Sequence, residues 1–213
     1  MENWLVFLMN SLAVAKPKAD AAFDSRIFKG FKPETENPER KAMVKENKAL
    51  KLLLQAWKEY CKTDEQKRFE RYYEASRCLH GIKFSSEDVS RFCLSFSDEC
   101  DHRKLSMFLN ALIEKCADNT VTIHVSHIGE LSDIGYYTTK NIIIYGNVGS
   151  DLGRHKYEGS IILYGNAGFG VLNDTVGEIT VTVNGNVANA AGRDMGGNCK
   201  LIINGNADRS LGV

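Results

Sequence analysis

Four stretches of this chain repeat one phrase: Asn141-Ile-Ile-Ile-Tyr-Gly-Asn147, Ser160-Ile-Ile-Leu-Tyr-Gly-Asn166, Thr180-Val-Thr-Val-Asn-Gly-Asn186 and Lys200-Leu-Ile-Ile-Asn-Gly-Asn206. Their Gly-Asn pairs begin at 146, 165, 185 and 205. A fixed period of about 20 residues, with one short strand and one glycine corner per period, is the pattern of a stacked β-solenoid. Alternate residues of a strand face opposite ways. The threonines of Thr180-Val-Thr-Val belong outside, which turns Val181 and Val183 inward. The same columns then hold Ile142 and Ile144, Ile161 and Leu163, Leu201 and Ile203. All are aliphatic. A slip of one residue would turn this core into water, so the register is strongly specified.

Upstream, Val121, Ile123 and Val125 alternate with Thr122 and His124. That predicts one further, degenerate turn, with Ile128-Gly129 aligned on Val148-Gly149. An atypical turn is expected where a stack must be closed. Each corner glycine is expected at positive φ, and the asparagine after it tolerates the left-handed region. Asn147, Asn166, Asn186 and Asn206 would stack as an amide ladder satisfying buried corner groups. The outward columns are less polar than a free surface: Ile143, Tyr145, Ile162, Tyr164 and Ile202 form a stripe. Such a stripe calls for cover. The chain's own front segment would supply it, through a helix over 3–15 or through Phe23, Ile27, Phe28 and Phe31. A partner protein is the alternative.

The front part differs in kind: it is charge-dense and poor in glycine. Apolar periodicity predicts a short helix over 3–15, irregular chain over 17–38, and a helix over 39–60 carrying Met43, Leu50, Leu53, Leu54 and Trp57. Thr63-Asp-Glu-Gln66 fits a capping box that opens a helix running to about His80. Ser86 opens another through Phe96, and Ser97 or Asp98 opens a last one through Lys115. The fold class is therefore α+β: an N-terminal helical bundle of about five helices over 1–118, then a short right-handed parallel β-helix of four to five turns over 119–213.

The chain holds 27 Lys+Arg against 27 Asp+Glu, no basic excess for nucleic acid. No apolar run approaches the ~20 residues of a membrane helix. Glu2 replaces the basic start of a signal peptide, and Asn10 and Ser11 interrupt the apolar run, so the N-terminus reads as retained. Six cysteines without a disulfide framework read as reduced thiols of a cytoplasmic protein. Cys78-Leu-His80 and Cys100-Asp-His102 contain the ligand types of a zinc site, but the spacing is not the usual knuckle. The run Lys67-Arg68-Phe-Glu-Arg71-Tyr-Tyr is interleaved with Glu65, Glu70 and Glu74, which marks a solvated helix face. Asp151, Arg154, His155 and Glu158 share one loop, with His124 and His127 in the first turn. They read as a solvated polar corner, or as acid–base groups beside a groove.

The stretch Gly185-Asn-Val-Ala-Asn-Ala-Ala-Gly192-Arg-Asp-Met195-Gly196-Gly197-Asn-Cys-Lys-Leu-Ile-Ile-Asn-Gly205-Asn206-Ala207 resembles the glycine-motif (GXGXG) β-helix. That domain closes the large subunit of glutamate synthase and recurs as a β-helical subunit of the formylmethanofuran dehydrogenases. Gly165-Asn-Ala-Gly168 and Gly146-Asn-Val-Gly149 match its opening, and Gly153, Gly159 and Gly177 its later corners. The resemblance spans about residues 120–213. It implies a right-handed β-helix that packs domains or subunits together while chemistry sits elsewhere. There is no P-loop, Gly-x-Ser-x-Gly, His-Glu-x-x-His or Cys-x-x-Cys. The expectation is a structural or protein-interaction scaffold, associating with itself or with an enzyme subunit, without cofactor, metal or catalytic site. One alternative is a subunit or small enzyme using Asp151, His155 and Glu158. Another is a binding module through the helical half.

Overall fold

A computed structural model describes residues 47–65, 67–96 and 100–212. The segments expected over 3–15 and 17–38 lie outside the described residues. Lys48–Val213 forms one compact unit. It contains four helices: α1 (Lys48–Cys61), α2 (Arg68–Cys78), α3 (Ser86–Cys93) and α4 (His102–Lys115). Six strands follow: β1 (Thr120–His124), β2 (Asn141–Tyr145), β3 (Glu158–Tyr164), β4 (Val176–Val183), β5 (Gly196–Gly197) and β6 (Lys200–Ile203).

Local chemistry accounts for the helix ends. Ser85 caps α3 in a capping box with Asp88, one residue before the expected start. The Asp101 carboxylate caps α4, accepting the N–H groups of Arg103 and Lys104 at 3.0 and 3.1 Å. Thr63 does not cap the next helix, whose N-cap position is Lys67. Thr63 Oγ1 instead donates to the Tyr60 carbonyl at 2.7 Å, closing α1. The next helix begins at Arg68, behind Lys67, with no side-chain cap. Residues 105–113 of α4 are all buried. A helix apolar around its whole circumference must be enclosed, and here α2 and α3 pack on it.

Strands β1, β2, β3, β4 and β6 stack in parallel as about four turns of a solenoid, while β5 pairs with the start of β4. The registers run Val121↔Ile142, Ile142↔Ile161, Ile161↔Val181 and Val181↔Leu201. Both inward columns are fully buried through β4. A third column, Leu131, Val148, Ala167, Val187 and Ala207, lines the next corner. Leu131, not Ile128, therefore matches Val148. Val121 to Leu131 spans four residues more than Ile142 to Val148, an insertion that falls after Val125, whose N–H still donates to the Tyr145 carbonyl, and it explains why strand parity and glycine spacing disagree there. His127 ties the insertion down, its Nε2 lying 3.0 Å from the Cys93 carbonyl.

The corner glycines serve a different purpose from the one expected. Of the four, Gly146 alone has a left-handed φ, at 123°. A Cβ on Gly165, Gly185 or Gly205 would lie 2.2, 2.3 or 2.4 Å from the carbonyl oxygen of the glycine one turn earlier. Close stacking of backbone excludes a side chain there. Left-handed φ belongs to the following corner, where it recurs at alternate residues: Asp133, Gly135 and Tyr137; Asp151, Gly153 and His155; Gly170, Leu172 and Asp174; Ala190, Gly192 and Asp194.

The helices close the first turn. An edge strand exposes unpaired backbone groups that invite foreign strands. Thr122 of β1 presents one N–H and one carbonyl to α3. Ser86 Oγ accepts the N–H at 3.0 Å, and Ser90 Oγ donates to the carbonyl at 2.6 Å. Residues four apart on a helix share a face, so one helical turn satisfies both groups. From α4, Asn110 donates to the Asp133 carbonyl and accepts the Gly135 N–H, both at 2.8 Å. Glu114 accepts the Thr139 N–H at 2.7 Å and its hydroxyl at 2.9 Å.

Candidate functional site

The outward sheet face is the broadest candidate surface. Ile143, Ile162 and Ile202 are half-buried along one column, with Thr122 and Thr182 in the same column. Beside it the rings of His124, Tyr145 and Tyr164 stack as a ladder. Each step is 5.0 Å between centroids, with planes within 9° and 8° of parallel. Tyr145 and Tyr164 are 40% and 49% exposed, which leaves their outer edges in water. The inter-turn spacing of about 4.8 Å makes the rings stack.

The asparagines of the first corner bond along the stack. Asn147 Oδ1 accepts the Asn166 N–H at 2.9 Å, Asn166 Oδ1 that of Asn186 at 2.8 Å, and Asn186 Oδ1 that of Asn206 at 2.9 Å. These side chains are exposed, not buried. They are not left-handed either. Each amide oxygen stands in for the carbonyl that a continuous sheet would offer. A shallow groove of about 440 Å³ follows them, floored by Ala167, Val187 and Ala207.

A polar network climbs the second corner. Arg68 of α2 forks between Asp133 at 3.0 Å and Asp151 at 3.3 Å, on successive turns. Arg154 continues it to Asp151 at 3.4 Å and Asp174 at 2.7 Å. Burial pushes the Asp133 carboxyl up to about 6, although Arg68 pulls the other way. Lys156 is 1% exposed, and its ammonium donates to the Lys140 carbonyl at 2.7 Å and to Thr138 Oγ1 at 3.1 Å. Burial lowers it to about 8.

No family model matches this chain, no curated protein matches it, and no solved structure matches it. Any function must therefore be argued from the site.

The expected acid–base loop is dispersed. Asp151 is held by two arginines, and His155 packs against Tyr136 and Tyr137. Glu158 is exposed at the head of β3, and His124 stands on the sheet face. Cys78, His80, Cys100 and His102 are not gathered as a ligand set. Among the described residues, no three His, Cys, Asp or Glu side chains converge as a metal site requires. All six cysteines are free thiols. No described helix is long and apolar enough to cross a membrane.

Sequence reasoning misses Arg68 and Asn110. Arg68 sits in the run that reads as a solvated face, yet its side chain is 34% exposed and reaches the solenoid. In the same run, the Tyr72 hydroxyl is buried against the Tyr137 carbonyl, donating at 3.3 Å. The recurrence of Asp133, Asp151, Asp174 and Asp194 at one corner is the available signal for a cationic partner. Asn110 carries none, being a single polar residue in an apolar helix.

Proposed function

We propose that this protein is a structural, protein-interaction module that self-associates as a homo-oligomer through its outward sheet face and has no catalytic site of its own. The carrying observation is that face: three half-buried isoleucines flanked by an exposed tyrosine ladder, on a parallel sheet. Tyrosine is a preferred anchor of protein interfaces, because a rigid ring buries much area for little conformational entropy. The resemblance to the glycine-motif β-helix supports the same reading and extends it to a right-handed helix that packs domains or subunits. Size-exclusion chromatography with light scattering over a range of concentrations tests it, with Tyr145→Lys/Tyr164→Lys as the comparison. A mass above the monomer that falls to the monomer in the double variant is the expected result. A monomeric mass at every concentration for both proteins would sink self-association.

A further inference from the structure

A second surface, independent of the sheet face, has the features of a small-molecule site. A cleft of about 230 Å³ opens on the second corner, lined by Asp151, Arg154, Phe169, Asn173, Asp174 and Arg193. Some of these groups are already engaged. Arg154 divides its two terminal nitrogens between Asp151 and Asp174, at 3.4 and 2.7 Å. Asp151 is further engaged by Arg68. Asn173 is 6% exposed and its Oδ1 accepts the Arg193 N–H at 3.0 Å, locking two turns together.

Two of the charged groups are engaged on one side only. Arg193 reaches Asp194 through Nε alone, at 3.2 Å, so its two terminal nitrogens have no partner among the described residues. Asp174 meets Arg154 through Oδ2, which leaves Oδ1 without a partner among the described residues. Phe169 is 48% exposed on the same cleft. A free guanidinium edge, a free carboxylate oxygen and an exposed ring thus line one small space.

The charges select the ligand. Arg154 and Arg193 balance Asp151 and Asp174, so the lining is neutral overall but dipolar. A simple anion meets the carboxylates and a simple cation meets the guanidiniums, and like-charge juxtaposition penalises both. A zwitterion satisfies both poles. The volume lies below the roughly 300 Å³ at which pockets for drug-sized ligands begin, which suits one amino acid. We propose that this cleft binds a free α-amino acid with an apolar side chain. Its carboxylate sits on Arg193, its ammonium on Asp174 Oδ1, and its side chain on Phe169. Arg193 and Asp174 side chains are 62% and 40% exposed. Exposed ion pairs contribute little, so a dissociation constant on the order of 1–10 mM is expected.

The test is an NMR titration of the full chain with L-leucine, N-acetyl-L-leucine, L-leucinamide and the dipeptide Leu-Leu. The proposal expects saturable shifts at the amides of Phe169, Asp174 and Arg193 with L-leucine. Each blocked analogue, lacking the ammonium or the carboxylate, is expected to bind about tenfold more weakly or not at all. Arg193→Gln, a change at an exposed side chain, should lose the L-leucine response while keeping the parent's circular dichroism. Asp174→Asn should lose it with the ammonium-bearing ligands. Three outcomes would overturn the proposal: no saturable shift with L-leucine, equal binding of the blocked analogues, or tighter binding of Leu-Leu, which would make the ligand a peptide. Should Asp174→Asn fail to fold, the Arg193 variant and the analogues still decide.

Discussion

Substituting Gly165 by Ala tests the central packing argument, that the corner glycines exist for want of space. Gly165 is not left-handed, so alanine brings no backbone strain of its own. Its Cβ would lie 2.2 Å from the Gly146 carbonyl oxygen. Carbon and carbonyl oxygen approach to about 3.3 Å even in favourable contacts. The two turns must therefore part locally by about 1 Å, against a normal spacing of about 4.8 Å. Three hydrogen bonds flank the contact: Gly146 N–H to the Tyr164 carbonyl at 3.1 Å, Val148 N–H to the Asn166 carbonyl at 2.9 Å, and Asn166 N–H to Asn147 Oδ1 at 2.9 Å. Each would lengthen past useful bonding. At about 0.5–1.5 kcal/mol net apiece, the expected loss is about 2–4 kcal/mol. Asn166→Ala, by contrast, removes an exposed acceptor that water can replace, for about 0.5–1 kcal/mol. Urea unfolding followed by circular dichroism, with parent and both variants at equal concentration, separates the cases. A loss in Gly165→Ala no larger than that of Asn166→Ala would refute the stacking argument and return the glycines to a conformational role.

Three further outcomes are expected. Ser90→Ala strands the Thr122 carbonyl at the covered edge and should cost about 1–2 kcal/mol in urea unfolding; an unchanged midpoint would mean water reaches that edge. The Asp133 carboxyl, held up to about 6, exceeds its unfolded value of about 3.9, so the folded state binds the extra proton between them. Stability should fall as pH rises from about 4 to 6, by roughly 2–3 kcal/mol, and urea midpoints across that range should lose this slope in Asp133→Asn. Lys156 is the mirror case: lowered to about 8, it binds fewer protons folded than unfolded, so stability should rise as pH climbs from about 8 to 10. Lys156→Met removes that rise, and thermal melts at several pH values would show whether it does.

How much of this can be read from the chain alone depends on the range of each interaction. The inward columns of the solenoid are legible because parity in a strand is local and the repeat supplies four copies of the same pattern. The Asn and Gly of the corner are legible as residues but not as mechanism. Whether a glycine is there for its φ or for its missing Cβ depends on what lies one turn away. The first turn misleads at Ile128, since an insertion shifts spacing without disturbing the apolar pattern on either side. The helix starts set by Ser85 and Asp101 lie one to a few residues from the expected ones, because several nearby Ser and Asp side chains can each accept a capping bond. In the polar corner, Asp151 and Arg154 are legible as neighbours. The engagement of Asp151 with Arg68, and the residual freedom of Arg193 and Asp174, are not.

The sequence by itself determined the periodic part of this protein: strand phase, aliphatic core, glycine corner and the asparagine that follows it. Those properties arise between residues a fixed step apart, and a repeat displays that step openly. Tertiary structure alone decided how the stack is closed and where its charges pair. Ser86 and Ser90 meet Thr122 across 36 and 32 residues of chain, and Arg68 meets Asp151 across 83. No period links such pairs. They come together because an edge strand and buried carboxylates both require partners, and the packing of α2, α3 and α4 against the first turns determines which residues can reach them.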